Sequence, residues 1–171
     1  PIPQLMFNRN SEVVQIKGSS NYQSNEDVVK AREYGILVHY ILSQIKTKQD
    51  IDAVITKATL SGDVSKEEAA KISTDIKKLL ELKMITPYFD EGVEIKNEVE
   101  ILTQAGDILR PDRVVIQGNH AIVIDYKTGK KNAQKYHAQM QDYEYALLSL
   151  GYVSVKKLLL YIHEREVEVL S

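Results

Sequence analysis

Apolar positions in the first half of the chain recur at helical spacing. Val28, Ala31, Gly35, Val38, Leu42 and Ile45 predict one long helix over 26–45. Ser24 or Asn25 stands where a cap belongs, and Glu26 and Asp27 suit the positive end. Ile51, Val54, Ile55 and Ala58 mark a shorter helix over 50–60, broken by Ser61-Gly62-Asp63. Ser65 and Glu68 have capping-box spacing ahead of a third helix over 66–83, whose stripe is Ala69, Ile72, Ile76, Leu79 and Leu80. Pro87 closes this helical portion, 26–86.

The period then falls to two. Strands are predicted over 93–102, with an interruption near Lys96-Asn97, over 108–116 and over 121–126. The last two are joined by Gln117-Gly118-Asn119, a hairpin signal. A helix over 133–150 follows, with Gly151 as its C-cap, then strands over 155–163 and 166–170. Near the start, 12–17 reads as a short strand or extended arm and 18–25 as a loop. A helix carrying the chain between strands predicts an α/β fold with a mixed central sheet, its core spanning 93–170. The first three helices either cover one sheet face or form a lobe beside it.

Length changes this picture little: 171 residues suit one domain. With 22 basic and 24 acidic side chains the net charge is -2, which excludes a strongly basic, histone-like surface. The absence of cysteine removes thiol catalysis, zinc-thiolate sites and cysteine-held iron-sulfur clusters, so no iron-sulfur cluster is expected. No apolar run reaches transmembrane length and no signal peptide is visible, so the expected setting is cytoplasmic, away from membranes. A start at Pro1 reads as an excised or processed piece of a larger protein, with loss of an initiator Met as the alternative.

The densest chemistry lies in RPDRVVIQGNHAIVIDYKTGK, residues 110–130. Asp112 is expected within one strand of the hairpin and Asp125 at the end of the other. Alternation puts Val123, Asp125 and Lys127 on one side. Two carboxylates and a lysine meeting at a sheet end suit phosphoryl transfer. Carboxylates hold hard cations such as Mg2+ or Mn2+, which polarise phosphate and lower the pKa of an attacking water. The carbonyl of Tyr126 lies between the two side chains in sequence and could supply a further oxygen ligand, if it points inward. A lysine beside them orients the water or offsets charge developing on phosphate oxygens. The plainer reading is a charged hairpin end with ordinary salt bridges, and spacing alone leaves both open.

Four pieces in order, GILVH at 35–39, GDILRPDRVV at 106–115, IDYKTG at 124–129 and YHAQMQDY at 136–143, resemble the RecB-like branch of the PD-(D/E)xK nuclease superfamily. The resemblance covers most of the chain. It implies a restriction-endonuclease-like core with an N-terminal helical portion and Mg2+- or Mn2+-dependent hydrolysis of DNA phosphodiesters. By this likeness His39, Asp112 and Asp125 are metal ligands and Lys127 is the catalytic lysine, with Asp112 and Asp125 sharing that catalytic role. Gln139 and Tyr143, one turn apart, match a helix motif that touches DNA or braces the catalytic groups. Tyr136 falls near the same face. The alternative for that face is a packed aromatic stripe with Met140 and Leu147.

Several charged residues are secondary candidates. Glu100 is a weak candidate for the metal site and Glu98 a weaker one, surface glutamate being the plainer reading of both. Arg110 suits phosphate contact or pairing with the acids, whereas Arg113 lies on the opposite side of a regular strand and can buttress the fold. Lys130, with Lys127, Lys131 and Lys135, forms a basic run that a phosphate backbone can pass. His120, His137 and His163 are expected to be structural or exposed. The near-neutral charge implies limited grip on DNA, and the resemblance implies a helicase domain in the same polypeptide or complex. The chain has no G-x-x-x-x-G-K-[ST] loop, so ATP coupling belongs to such a partner. The expected activity is an exonuclease in DNA repair or recombination. A structure-specific endonuclease and a catalytically inactive DNA-binding or assembly module are its rivals.

Overall fold

A computed structural model describes residues 22–103, 105–128 and 133–171, without the side chains of 22–27 and 133. The arm at 12–17, the start of the loop at 18–25, and Gly129, Lys130 and Lys131 lie outside the described residues.

Three helices come first: α1 (Tyr22–Gln44), α2 (Ile51–Leu60) and α3 (Lys66–Leu80). Helix α1 starts earlier than its apolar stripe predicts, so Ser24 and Asn25 lie inside it rather than capping it. Its first turns also run past their neighbours. Val28 and Ala31 are exposed, and burial begins at Gly35, continuing through Val38, Ile41, Leu42 and Ile45. Helix α3 follows its pattern closely. Glu68 N–H donates to Ser65 Oγ (3.2 Å) and Ser65 N–H to the Glu68 carboxylate (3.0 Å), satisfying two orphan donors at its start. All five predicted stripe residues of α3 are buried.

The strands are β1 (Glu94–Asn97), β2 (Ile101–Leu102), β3 (Ile108–Leu109), β4 (Arg113–Gln117), β5 (His120–Lys127), β6 (Ser154–Tyr161) and β7 (Glu166–Leu170). Helix α4 (Ala133–Ser149) connects β5 to β6. The main sheet has the order β1-β4-β5-β6-β7. Only β5 and β6 are parallel, because only that connection passes through a helix.

Alternation along β5 and β6 divides the apolar residues between two layers. Ile122, Ile124, Tyr126, Leu158 and Leu160 join the core under α1–α3. Val123, Leu159 and Tyr161 join the core under α4. The sheet is therefore covered on both faces, and the N-terminal helices form one of its two cover layers. A fully buried leucine or isoleucine is worth about 1.5–3 kcal/mol, so central strands apolar on both faces tie the two layers together.

Two predicted strands are each broken in two. The stretch 93–102 becomes β1 and β2, and 108–116 becomes β3 and β4. The β1–β4 and β2–β3 ladders nevertheless keep one register. Four residues outward from Asn97↔Arg113 on each strand lead to Ile101↔Leu109. They are one hairpin bent in the middle, where the Glu98 N–H donates to the Asp112 carbonyl (3.0 Å). Pro111 has no N–H to offer the ladder, and Glu98 takes a left-handed backbone with φ 49°, a cost of roughly 1–2 kcal/mol. Asp112 thus lies just before β4 and not within a strand. The bend also changes faces. Ile101 and Leu109 pack on the α4 layer, whereas Ile95 and Val115, of the same parity, face the helical layer.

Arg113 locks this corner. It is fully buried and donates to the carbonyls of Ile45 (3.0 Å), Lys46 (2.7 Å) and Tyr88 (2.7 Å), with its guanidinium over the Phe89 ring. Asn97 adds bonds from its side-chain amide to the carbonyls of Ser43 and Ile45. The two side chains satisfy carbonyls at and just beyond the end of α1, where the helical ladder runs out of donors. Among the described residues, no helix is long and apolar enough to cross a membrane.

Candidate active site

Strand β5 supplies the centre of the site. Asp125 and Lys127 share the face of Val123, so both point toward α4. Asp125 is 2% exposed. Burial, and then the charge of Asp112, push its carboxyl up to about 6, with Lys127 and His39 offsetting part of the rise. The Lys127 ammonium touches Asp125 Oδ2 as an ion pair, without hydrogen-bond geometry. It donates to Gln139 Oε1 (2.8 Å) and sits 4.4 Å from the centre of the Tyr136 ring. Gln139 in turn donates to the Tyr143 hydroxyl (2.7 Å), which donates to the Arg110 carbonyl (3.1 Å). Burial pushes the Tyr143 phenol up, which keeps it a donor. Gln139 and Tyr143 thus brace the lysine from α4, using their one-turn spacing.

Asp112 is held from the other side. Its Oδ2 accepts the Tyr126 N–H (2.7 Å). A residue's N–H and C=O point to the same edge of a strand, so the Tyr126 carbonyl also faces the Asp112 side. The Tyr126 ring lies in the opposite layer, edge-on to His39. His39, one turn beyond Gly35 on α1, has Nδ1 3.7 Å from Asp112 Oδ1, an ion-pair distance too long for a hydrogen bond. Burial opposes charge on His39, but Asp112, Asp125 and Glu98 outweigh it and raise its pKa. Gly35 lets α1 approach this end of the sheet. A Cβ there would lie 2.5 Å from Thr128 Oγ1, in the residue after Lys127.

The bend brings in a glutamate that sequence reasoning ranked below its neighbour. Partial burial and the Asp112 charge raise the Glu98 carboxyl, with Arg110 and His39 opposing. Glu98 therefore belongs electrostatically with His39 and Asp112. Glu100 instead pairs with Arg110 on the exposed side of the hairpin. The signal that could have separated them is register, since Glu98 stands opposite Asp112. Arg113 serves the corner described above. Lys130 is outside the described residues. His120 contacts Ser154, His137 contacts Glu168 and His163 stacks on Tyr34, all apart from this cluster.

Three carboxylates, one imidazole and a backbone carbonyl make a donor set whose chemistry fits a hard divalent cation. The mutually repelling pair of half-buried Asp112 and buried Asp125 is the part of the site a cation would relieve most. Among the described residues no three His, Asp or Glu side chains already enclose an ion position. In this arrangement Asp125 leans on Lys127 and Asp112 on the Tyr126 N–H.

No curated protein matches the chain. The family model described as the PD-(D/E)XK nuclease superfamily matches residues 13–169, a span that holds the bent hairpin, both hairpin acids, the lysine and the α4 braces. A chain with this sheet, helical cover and match belongs to the PD-(D/E)XK nuclease superfamily.

Proposed function

We propose that this chain is a deoxyribonuclease of the RecB-like branch, dependent on Mg2+ or Mn2+, that degrades DNA from its ends in repair or recombination. The observation that carries the reading is the meeting of Asp112, Asp125, Lys127 and His39 at one end of the sheet. Asp112, Asp125, His39 and the Tyr126 carbonyl would hold the cation, with Glu98 beside them. The cation, when bound, supplies charge stabilisation to a phosphoryl oxygen and acidity to a water.

The protein's own contribution is positioning. Lys127 is fixed by Asp125, Gln139 and the Tyr136 ring, so its charge needs no rearrangement as negative charge builds on the phosphate. Asp125 must be ionised to take a cation, and its raised pKa makes that step pH-sensitive. Tyr126 N–H holds Asp112 in one orientation, and α4 holds Lys127 in another. The net charge of -2 gives little general attraction to phosphate. A helicase domain in the same polypeptide or complex would supply the missing grip.

The test is cleavage of end-labelled single- and double-stranded DNA and of closed circles, with Mn2+, Mg2+ or EDTA. Expected are metal-dependent shortening from the ends, intact circles, and loss of cleavage in Lys127→Ala. Cut circles would assign an endonuclease. A folded, metal-saturated chain that cuts nothing would leave a DNA-binding or assembly module.

A further inference from the structure

Helix α1 overhangs the end of the sheet that carries the site. It runs antiparallel to β5. His39 lies edge-on to Tyr126, and Gly35, one turn nearer the N-terminus, lies against Thr128, just past the strand. Tyr34 stacks on His163 in the turn after β6, where the Ile162 N–H donates to the Lys127 carbonyl. Both contacts stand at the last residues of the central strand pair. Residues 28–33 come before them in α1, so they project past the sheet, and all of them are exposed.

The charges of this overhang are sorted by face. At about 100° per residue, Arg32 falls within about 20° of His39 around the helix axis, and Lys30 falls opposite, at about 180°. The acidic positions Glu26, Asp27 and Glu33 lie about 120–140° away from His39, at pairing spacing from Lys30. Arg32 has no acid at that spacing, since the positions three and four residues away are Val28, Val29, Gly35 and Ile36. Among the described residues no hydrogen bond or ion pair holds it. Other cations near this end are engaged: Lys127 by Asp125 and Gln139, Arg110 by Glu100, and Arg165 by Asp75. Lys71 lies over the Tyr34 ring.

We propose that the His39 side of this overhang is an arm for the substrate backbone, and that Arg32 binds a phosphate of the strand being cut. The proposal rests on the nuclease reading above and adds a substrate-binding residue to it. Arg32 is two helical turns from His39, about 10 Å along the axis. That is roughly three nucleotide steps from the phosphate at the metal site. A guanidinium presents paired N–H donors to phosphate oxygens and stays charged at every working pH. A strand leaving the site along this face meets a cation and no acidic position of α1, because the acids stand on the faces turned away. Held this far from the reacting phosphate, Arg32 adds grip to a chain whose net charge of -2 supplies little.

The experiment measures binding of a fluorescent oligonucleotide, as a single strand and as a blunt duplex, in EDTA at several salt concentrations. KM and kcat for its cleavage are measured with Mn2+. The chains compared are wild type, Arg32→Gln, Arg32→Lys and Lys30→Gln. The two glutamine variants remove the same charge from the same exposed stretch and differ in face. All should keep the wild-type melting temperature. Arg32→Gln should bind about 5- to 10-fold more weakly, with a log–log salt slope shallower by about 0.7–0.9. It should raise KM more than it lowers kcat. Arg32→Lys should restore the slope. Lys30→Gln should change affinity by less than about twofold and leave the slope as it is. Wild-type affinity, slope and KM in Arg32→Gln overturn the arm and leave the nuclease reading intact. So do equal losses in the two glutamine variants, which report the overall field and not a contact. So does a loss confined to kcat or accompanied by a lower melting temperature. A wild-type chain that neither binds nor cuts DNA overturns both.

Discussion

Replacing Asp125 with asparagine should strengthen the fold while ending catalysis. The carboxyl is nearly inaccessible, and its environment moves it from 3.8 to about 6. Two pK units correspond to about 3 kcal/mol. Between pH about 4 and 6 the folded chain keeps a proton that the unfolded chain has released. This group's contribution is therefore fully present below about pH 4 and is lost as pH rises through about 6. Asparagine imitates the neutral form at every pH. Asp125→Asn should match wild type near pH 4 and exceed it at pH 8 by at most about 3 kcal/mol, a Tm gain of roughly 6–12 °C for a chain of this size. Urea unfolding in EDTA across that pH range measures it. Addition of Mn2+ should raise the Tm of wild type and not of the variant, and should do so less below about pH 6. A variant less stable than wild type at pH 8, or a gain independent of pH, would refute the claim that this carboxylate is held at electrostatic cost for a cation.

Three further substitutions probe the surroundings. Arg113→Met leaves the carbonyls of Ile45, Lys46 and Tyr88 without their donor; a loss of about 3–5 kcal/mol is expected in urea unfolding. Gly35→Ala places a methyl 2.5 Å from Thr128 Oγ1 and 2.9 Å from its Cβ. That should cost about 1–3 kcal/mol and lower kcat by shifting the strand end that carries Lys127. Glu98→Gln should weaken Mn2+ binding by about tenfold or more in calorimetric titration, while Glu100→Gln changes it by less than about twofold. Equal effects of the two would remove Glu98 from the site.

Much of the architecture was legible because it depends on neighbours close in sequence. The capping box of α3 lies within four residues and formed as read. Period-two alternation in β5 put Asp125 and Lys127 on one face, and the one-turn spacing of Gln139 and Tyr143 put both on one side of α4. Helix α1 shows where periodicity stops informing. Its stripe runs from Val28 to Ile45, but Val28 and Ala31 are exposed and only from Gly35 onward are stripe residues buried by another element. Glu98 and Glu100 are alike in type and parity, and nothing local ranks them.

The sequence by itself determined the helices, the central strands, the sidedness of the β5 acid and lysine, and the family whose motifs those residues match. These follow from backbone periodicity and turn chemistry, which act over a few residues. Only the tertiary structure decided which layer each face meets, that Arg113 caps a helix far away in the chain, and that one hairpin bends at Glu98 and Asp112 to bring a third carboxylate beside His39. These outcomes depend on cross-strand register and on unpaired carbonyls finding a donor. Both are satisfied only when distant segments meet.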